Sequence, residues 1–232
     1  MTSTQGLVDG LDAVVTRRFA ASGVAWWRQT LERLTGADPG GLAEAFTAAS
    51  RKVGRQPLAL TADERHALTR LGMAEAMIDR STTDEAARIA LLLAVAVGKD
   101  GLDLERLVDD VYQSGDNSER QAVLRALALL PEPERFVTLA AEACRSHVQP
   151  LFEAIACENP YPAAHFPELN FNQMVIKALF TGVPLARVIG LAARITPELV
   201  RMANDYASER TAAGRSVPPD IALITSAGGH RP

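Results

Sequence analysis

From about residue 82 to about residue 157 the chain reads as one helical segment after another. Each is about ten to sixteen residues long, and turns of two to five residues separate them. Nothing else in the sequence narrows the fold as much, because short connections make successive helices antiparallel neighbours. Thr82 or Thr83, followed by Asp84 and Glu85, opens a helix that carries the apolar run Ile89–Val97, and Gly98–Gly101 closes it. Asp103–Gln113, Ser118–Leu130, Pro133–His147 and Val148–Cys157 follow, divided by SGDN and PEP turns. Strand signals are nearly absent: no segment alternates apolar and polar residues over a strand length, and no Asn-Gly or Asp-Gly turn joins two β-branched runs. Apolar residues make up 47% of the chain but aromatics only 5%. A core of Ala and Leu favours closely packed helices. The expectation is an all-α protein of stacked antiparallel helical hairpins, a HEAT/armadillo-like α-superhelical array with a C-terminal helical cap. No strict sequence period accompanies it, so the repeat is architectural.

The flanks continue the pattern. Leu7, Leu11, Val14, Val15 and Phe19 mark an amphipathic first helix. Ser22 is placed to cap a second, with Trp26, Trp27, Leu31 and Leu34, and Asp38-Pro39 reads as cap and first position of a third. Thr61 and Glu64 stand at the spacing of a capping box. After Asn159 the character changes. Residues preceding proline are pushed out of the α region, so Asn159-Pro-Tyr-Pro162 reads as extended or turning. Asn170 is then a cap for a helix to Phe180. Thr196-Pro197 opens a last long helix with Gly214 at its C′ position, Ile221–Ile224 forms a final apolar turn, and a flexible tail follows. The expected division is 1–158 (repeat-like region), 159–225 (motif-bearing region packed on it) and 226–232 (tail), as one globular unit.

Charge and residue usage exclude several functions. The formal net charge is −4, distributed as about +2 over residues 1–60, −9 over 61–169 and +3 over 170–232. The acidic middle repels nucleic acid, and no clustered basic face with stacking aromatics is present. Cys144 and Cys157 stand apart from any CxxC pair, which suggests a reducing compartment without a disulfide framework. His66, His147, His165 and His230 are scattered, so no metal site is indicated. The N-terminal residues lack a signal-peptide pattern, and Ile89–Val97 is far short of the ~20 apolar residues that cross a bilayer. A cytoplasmic protein that does not span a membrane is expected. Phosphate-loop, dinucleotide, nucleophile-elbow and zinc-protease motifs are all missing from the sequence, so neither a catalytic set nor a cofactor is read from it.

The specific content sits in Asn159–Phe180, NPYPAAHFPELNFNQMVIKALF. At about 100° per residue, Asn170, Gln173 and Lys177 fall on one stripe of a helix whose other faces carry Phe171, Met174, Val175, Ala178 and Leu179. Two amides and an ammonium in a row can grip a polar or anionic ligand; the plainer alternative is a solvated stripe on a mostly buried helix. The chain has three lysines against twenty-one arginines, so Lys177 stands where a compact charge is preferred. His165 can exchange a proton near neutral pH or simply pack beside Phe166. Asn159 and Tyr161 are placed to fix a turn. Farther on, Arg210 lies on the Tyr206 side of its helix and needs a carbonyl, a carboxylate or a ligand. If Arg194, Arg210 and Arg215 converge they can hold a phosphate or carboxylate; if not, they are surface residues.

Several blocks taken together resemble the EboA family: Asn159-Pro-Tyr-Pro, Asn172-Gln-Met-Val-Ile-Lys-Ala-Leu-Phe180, Gly190-Leu191 with Arg194, and Asp205-Tyr206 through Glu209-Arg210-Thr-Ala-Ala-Gly-Arg215. They span roughly residues 159–223, and the region before them is compatible helical sequence. Thr211 departs from the bulkier aromatic more usual there, so no binding role is rested on it. The resemblance implies a bacterial protein of a small gene cluster. Its neighbours resemble a UbiA-type membrane prenyltransferase, a TatD-like hydrolase, a sugar-phosphate cyclase and an isomerase-like protein. Such clusters are connected with moving secondary metabolites or precursors toward the periplasm. The expected function is a non-catalytic binding or adaptor protein for a small metabolite or a cluster partner. Its binding residues would be Asn159, Tyr161, His165, Asn170, Gln173, Lys177, Arg194, Arg210 and Arg215. The alternative is a cofactor-independent enzyme acting on a prenylated or aromatic metabolite through His165, Tyr161 or Lys177.

Overall fold

The computed structural model describes residues 4–36 and 41–226. The Asp38-Pro39 pair, His230 and the tail beyond Ser226 lie outside them. The helices are, in order, α1 (Thr4–Val15), α2 (Ala21–Thr35), α3 (Leu42–Val53), α4 (Ala62–Arg70), α5 (Glu75–Arg80), α6 (Thr83–Ala96), α7 (Gly101–Ser114), α8 (Asn117–Ala126), α9 (Val137–Arg145), α10 (Gln149–Ala156), α11 (Tyr161–His165), α12 (Glu168–Thr181), α13 (Pro197–Ala212) and α14 (Ile221–Thr225). Short 3₁₀ turns occupy Leu127–Leu129, Pro133–Phe136, Leu185–Arg187 and Leu191–Arg194. Among the described residues no strand forms; a single antiparallel bridge joins Pro57 and Thr82. The all-α class expected from the sequence is the one observed.

The chain divides into two compact units, Met1–Ala143 and Cys144–Pro232. The first is organised by α6, which packs against α1, α2, α3 and α8. An array in which every repeat meets only its sequence neighbours is held together differently. Here α6 collects helices that precede it by several elements. The reason lies in its composition: every residue from Ala86 to Ala96 is buried, so the helix needs partners on all sides. Its first turn is nevertheless charged. Arg88, 1% exposed, donates through Nη1 to Asp84 Oδ2 at 2.9 Å and through Nε to the Phe46 carbonyl at 3.0 Å. Trp27 is fully buried, donates Nε1–H to Asp12 Oδ1 at 2.6 Å and meets Phe19 edge-on, while Trp26 stays partly exposed.

Local signals hold where the bonding is local. Thr61 and Glu64 form the reciprocal capping box that opens α4, and Thr196 Oγ accepts the Leu199 amide at the start of α13. Gly214 takes φ +65° just beyond α13, as a C′ glycine does. Four expectations change. Ser22 lies inside α2, whose N-cap is Ala20 with no side-chain bond. Asn170 lies in the first turns of α12 rather than at its cap, because the helix begins two residues earlier behind Pro167. Tyr161, expected in extended backbone, begins the helical turn α11. Asp116, read as part of a turn, forms a second capping box with Glu119.

Candidate functional site

The segment Asn159–Phe166 is held from three directions, and each hold comes from a residue in a signature block. The Asn159 side chain donates Nδ2–H to the Ala154 carbonyl at 3.0 Å and accepts the Tyr161 amide at 3.0 Å. This amide-to-amide bridge fixes the turn against the proline bias and starts α11. Arg194 then donates to the Ala163 carbonyl at 2.6 Å and the Phe166 carbonyl at 2.7 Å, with its guanidinium 4.6 Å from the centre of the Phe171 ring. Gly190 completes the clamp. It has φ +75°, and a Cβ there would stand 2.7 Å from the Ala163 Cβ, so only glycine fits without displacement. Tyr161 is fully buried, its ring 4.8 Å from that of His165 and edge-on to Phe166. His165 is half-buried at the end of the same turn.

Lys177 works in a similar way on a different segment. Its Nζ donates to the Cys144 and Ser146 carbonyls, both at 2.6 Å, and stands 4.7 Å from the centre of the Phe152 ring. Those carbonyls lie at and just beyond the C-terminal end of α9, where helix carbonyls lack intrahelical partners and favour a cation. Burial lowers the Lys177 pKa, opposed weakly by the Cys144 sulfur. The same burial pushes the Cys144 thiol up to about 12.

Two further groups complete this region, and neither stood out in the sequence. Arg187 bridges Glu158 and Glu153 at 2.7 and 2.6 Å, bonds that raise its pKa. Asn172, 1% exposed, is the most buried amide of α12, and its Oδ1 has no hydrogen-bond partner. It sits among Phe171, Met174, Val175 and Ile176 on the apolar side, so periodicity hides it. The only signal for Arg187 was the acidic pair Glu153, in α10, and Glu158, two residues past its end.

The expected stripe on α12 separates into different environments. Gln173 is exposed, Asn170 is half-buried, and Lys177 turns toward α9. The three arginines do not converge. Arg194 precedes α13 and Arg210 lies in its last turn, roughly 20 Å apart along the helix axis. Arg210 donates to the Ser216 carbonyl at 2.5 Å and to Tyr206 Oη at 3.2 Å. Arg215 is exposed and has no carboxylate partner among the described residues. Among the described residues no cluster of His, Cys, Asp and Glu is arranged to hold a metal, and no helix is long and apolar enough to cross a membrane.

The sequence-family comparison covers nearly the whole chain: residues 7–225 match the family described as metabolite traffic protein EboA. The chain belongs to the EboA family. No curated protein and no solved structure matches it. The blocks from Asn159 to Arg215 that resemble EboA proteins are the residues that build the clamps of the second unit.

Proposed function

We propose that this EboA-family chain is a non-catalytic binding or adaptor protein in bacterial metabolite traffic. The observation that carries the reading is what the signature residues do. Asn159, Lys177, Arg194 and Arg210 each engage main-chain carbonyls, and two of the four, Lys177 and Arg194, reach across more than thirty residues to do so. Their chemistry is directed at holding segments in place, and their charges are not cancelled by carboxylates. A rigid unit with fixed, unneutralised cations suits recognition, since preordering lowers the entropy lost on binding. In this reading Gln173 and Arg215, exposed beside that frame, are the contacting members of the motif. Asn159, Tyr161, Lys177 and Arg194 support them, and His165, Asn170 and Arg210 lie between the two roles.

The cargo class proposed is a secondary metabolite or its precursor, handled on the cytoplasmic side, with a UbiA-like membrane prenyltransferase of the cluster as a protein partner. The family description supports the traffic part of this statement. Removing the chain from its host and comparing the metabolite pool of whole cultures with that of cell fractions tests the reading. The expected result is an unchanged set of compounds that accumulates in a different compartment. Disappearance of one chemical species from the total pool, with its precursor rising, would mean that the chain catalyses a step.

A further inference from the structure

The second unit carries a solvent-facing strip that the clamps do not use. α12 and α13 run parallel: Thr196 before α13 donates to Glu168 at the start of α12 at 2.8 Å, and near their other ends Phe180 meets Tyr206 edge-on at 4.5 Å. On α12, Leu169 and Phe180 are separated by three turns, about 16 Å, and so fall on one line with Gln173 and Ile176 between them. Leu169 is 64% and Phe180 59% exposed, while Ile176 at 7% forms the floor between them. Two large apolar side chains are thus held out along a single helix line. At the Phe180 end the apolar strip runs into positive charge. Tyr206 Oη accepts from Arg210, whose guanidinium lies 5.7 Å from the Tyr206 ring centre, and the Arg215 amide bonds the Arg210 carbonyl at 2.8 Å. Neither Arg210 nor Arg215 pairs with a carboxylate among the described residues. Of the acids nearby, Asp205 pairs with Arg201 at 2.6 Å, Asp220 accepts the Leu185 amide at 2.7 Å, and the exposed Glu209 pairs with neither arginine.

We propose that the strip Leu169–Ile176–Phe180, ending at Arg210 and Arg215, is a docking surface for an acidic amphipathic helix of a partner protein. The inference rests on the non-catalytic binding reading and names the class of partner. The spacing argues for a helix. A partner helix laid along α12 presents apolar residues at i, i+4, i+7 and i+11, matching the exposed Leu, the Ile floor and the exposed Phe. The charge argues for an acidic one. Two guanidiniums at one end, unneutralised and beside an aromatic pair, complement carboxylates at the end of such a helix and set its direction. Gln173, exposed midway, supplies a polar contact at the rim.

A fluorescein-labelled model peptide of about 18 residues, with Leu at the four apolar positions and Glu on the opposite face, is the probe. Binding to the full chain is read by fluorescence anisotropy, against a peptide of the same composition in scrambled order. The ordered peptide should bind and the scrambled one should not. Phe180→Ala should weaken binding at least about tenfold, Leu169→Gln should weaken it as well, and Arg215→Glu should weaken it and flatten its salt dependence. All three side chains are exposed, so the variants should keep the wild-type circular dichroism spectrum. Equal binding of the scrambled peptide, or ordered-peptide binding unchanged by these variants, overturns the proposal. So does flotation with phosphatidylglycerol vesicles that is lost in the same variants, which would make the surface lipid-binding. A dimer in sedimentation velocity that Phe180→Ala dissolves would instead assign the strip to a second copy. Failure of the peptide leaves the relocation of metabolites untouched, so the two readings fail separately.

Discussion

Replacing Lys177 by Met tests the frame on which the site depends. Methionine keeps an unbranched stem over the Phe152 ring and deletes the ammonium. Two hydrogen bonds of 2.6 Å to the Cys144 and Ser146 carbonyls are lost. Charge-assisted bonds contribute about 1.5–3 kcal/mol each, and the cation–π contact adds about 0.5–1 kcal/mol. Against this stand the cost of holding an ammonium in a partly buried place, which Met removes, and water that can reach the carbonyl of the half-buried Ser146. The net expectation is a loss of about 2 kcal/mol, confined to the unit Cys144–Pro232. Such a loss lowers the melting temperature of a unit this size by about 10 °C. Hydrogen exchange read by mass spectrometry localises it: amides at the end of α9 and in α12 should lose protection by roughly thirtyfold. Both tryptophans, Trp26 and Trp27, lie in the other unit, so their fluorescence should not change at moderate denaturant. A loss below about 0.5 kcal/mol, with exchange unchanged, would refute the clamp and return the ammonium to the role of a free ligand contact.

Three further outcomes follow from buried chemistry. Glu64 is held down at about 2, chiefly by its bond to the Arg18 guanidinium, so it contributes stability above the unfolded carboxylate pKa and loses it as pH falls from about 4.5 toward 2; urea midpoints of wild type and Glu64→Gln should converge across that window. Asp84→Ala leaves Arg88 buried without its carboxylate, and urea unfolding should show a loss of about 3–5 kcal/mol, much of it recovered when Arg88 is also replaced by Met. Cys144 and Cys157 are buried, and burial lifts the Cys144 thiol toward 12, so a thiol reagent at pH 8 should label neither in the native chain and both in urea.

The helical class and several caps were legible because they depend on residues three or four apart. Thr61 with Glu64, Thr196 with Leu199, and Gly214 after α13 each close a bond inside one turn. Where reading failed, a distant group had entered. Proline bias pointed Tyr161 away from helix, but the Asn159 side chain and Arg194, 31 residues from Ala163, hold the turn. The periodicity of α12 puts Asn170, Gln173 and Lys177 on one stripe. It carried no information on which of them meets solvent, because Lys177 is drawn away by carbonyls 31 and 33 residues earlier. Asn172 was hidden for the opposite reason, since its position obeys the apolar pattern while its chemistry does not.

The sequence by itself determined that the chain is helical, which residues begin and end several helices, and that the special residues cluster after Asn159. All of these follow from backbone propensity, capping and the 3.6-residue period, which act over one or two turns. Only the tertiary structure decided what the special residues touch. Hydrogen-bond partners of Lys177, Arg194 and Arg187 are chosen by how the Cys144–Ser146 segment, α10, α11 and α12 lie within the second unit, and a side chain long enough to reach a carbonyl is long enough to reach water or a ligand instead. Packing settled that choice, turning most of the motif inward as clamps and leaving Leu169, Gln173, Phe180 and Arg215 facing outward.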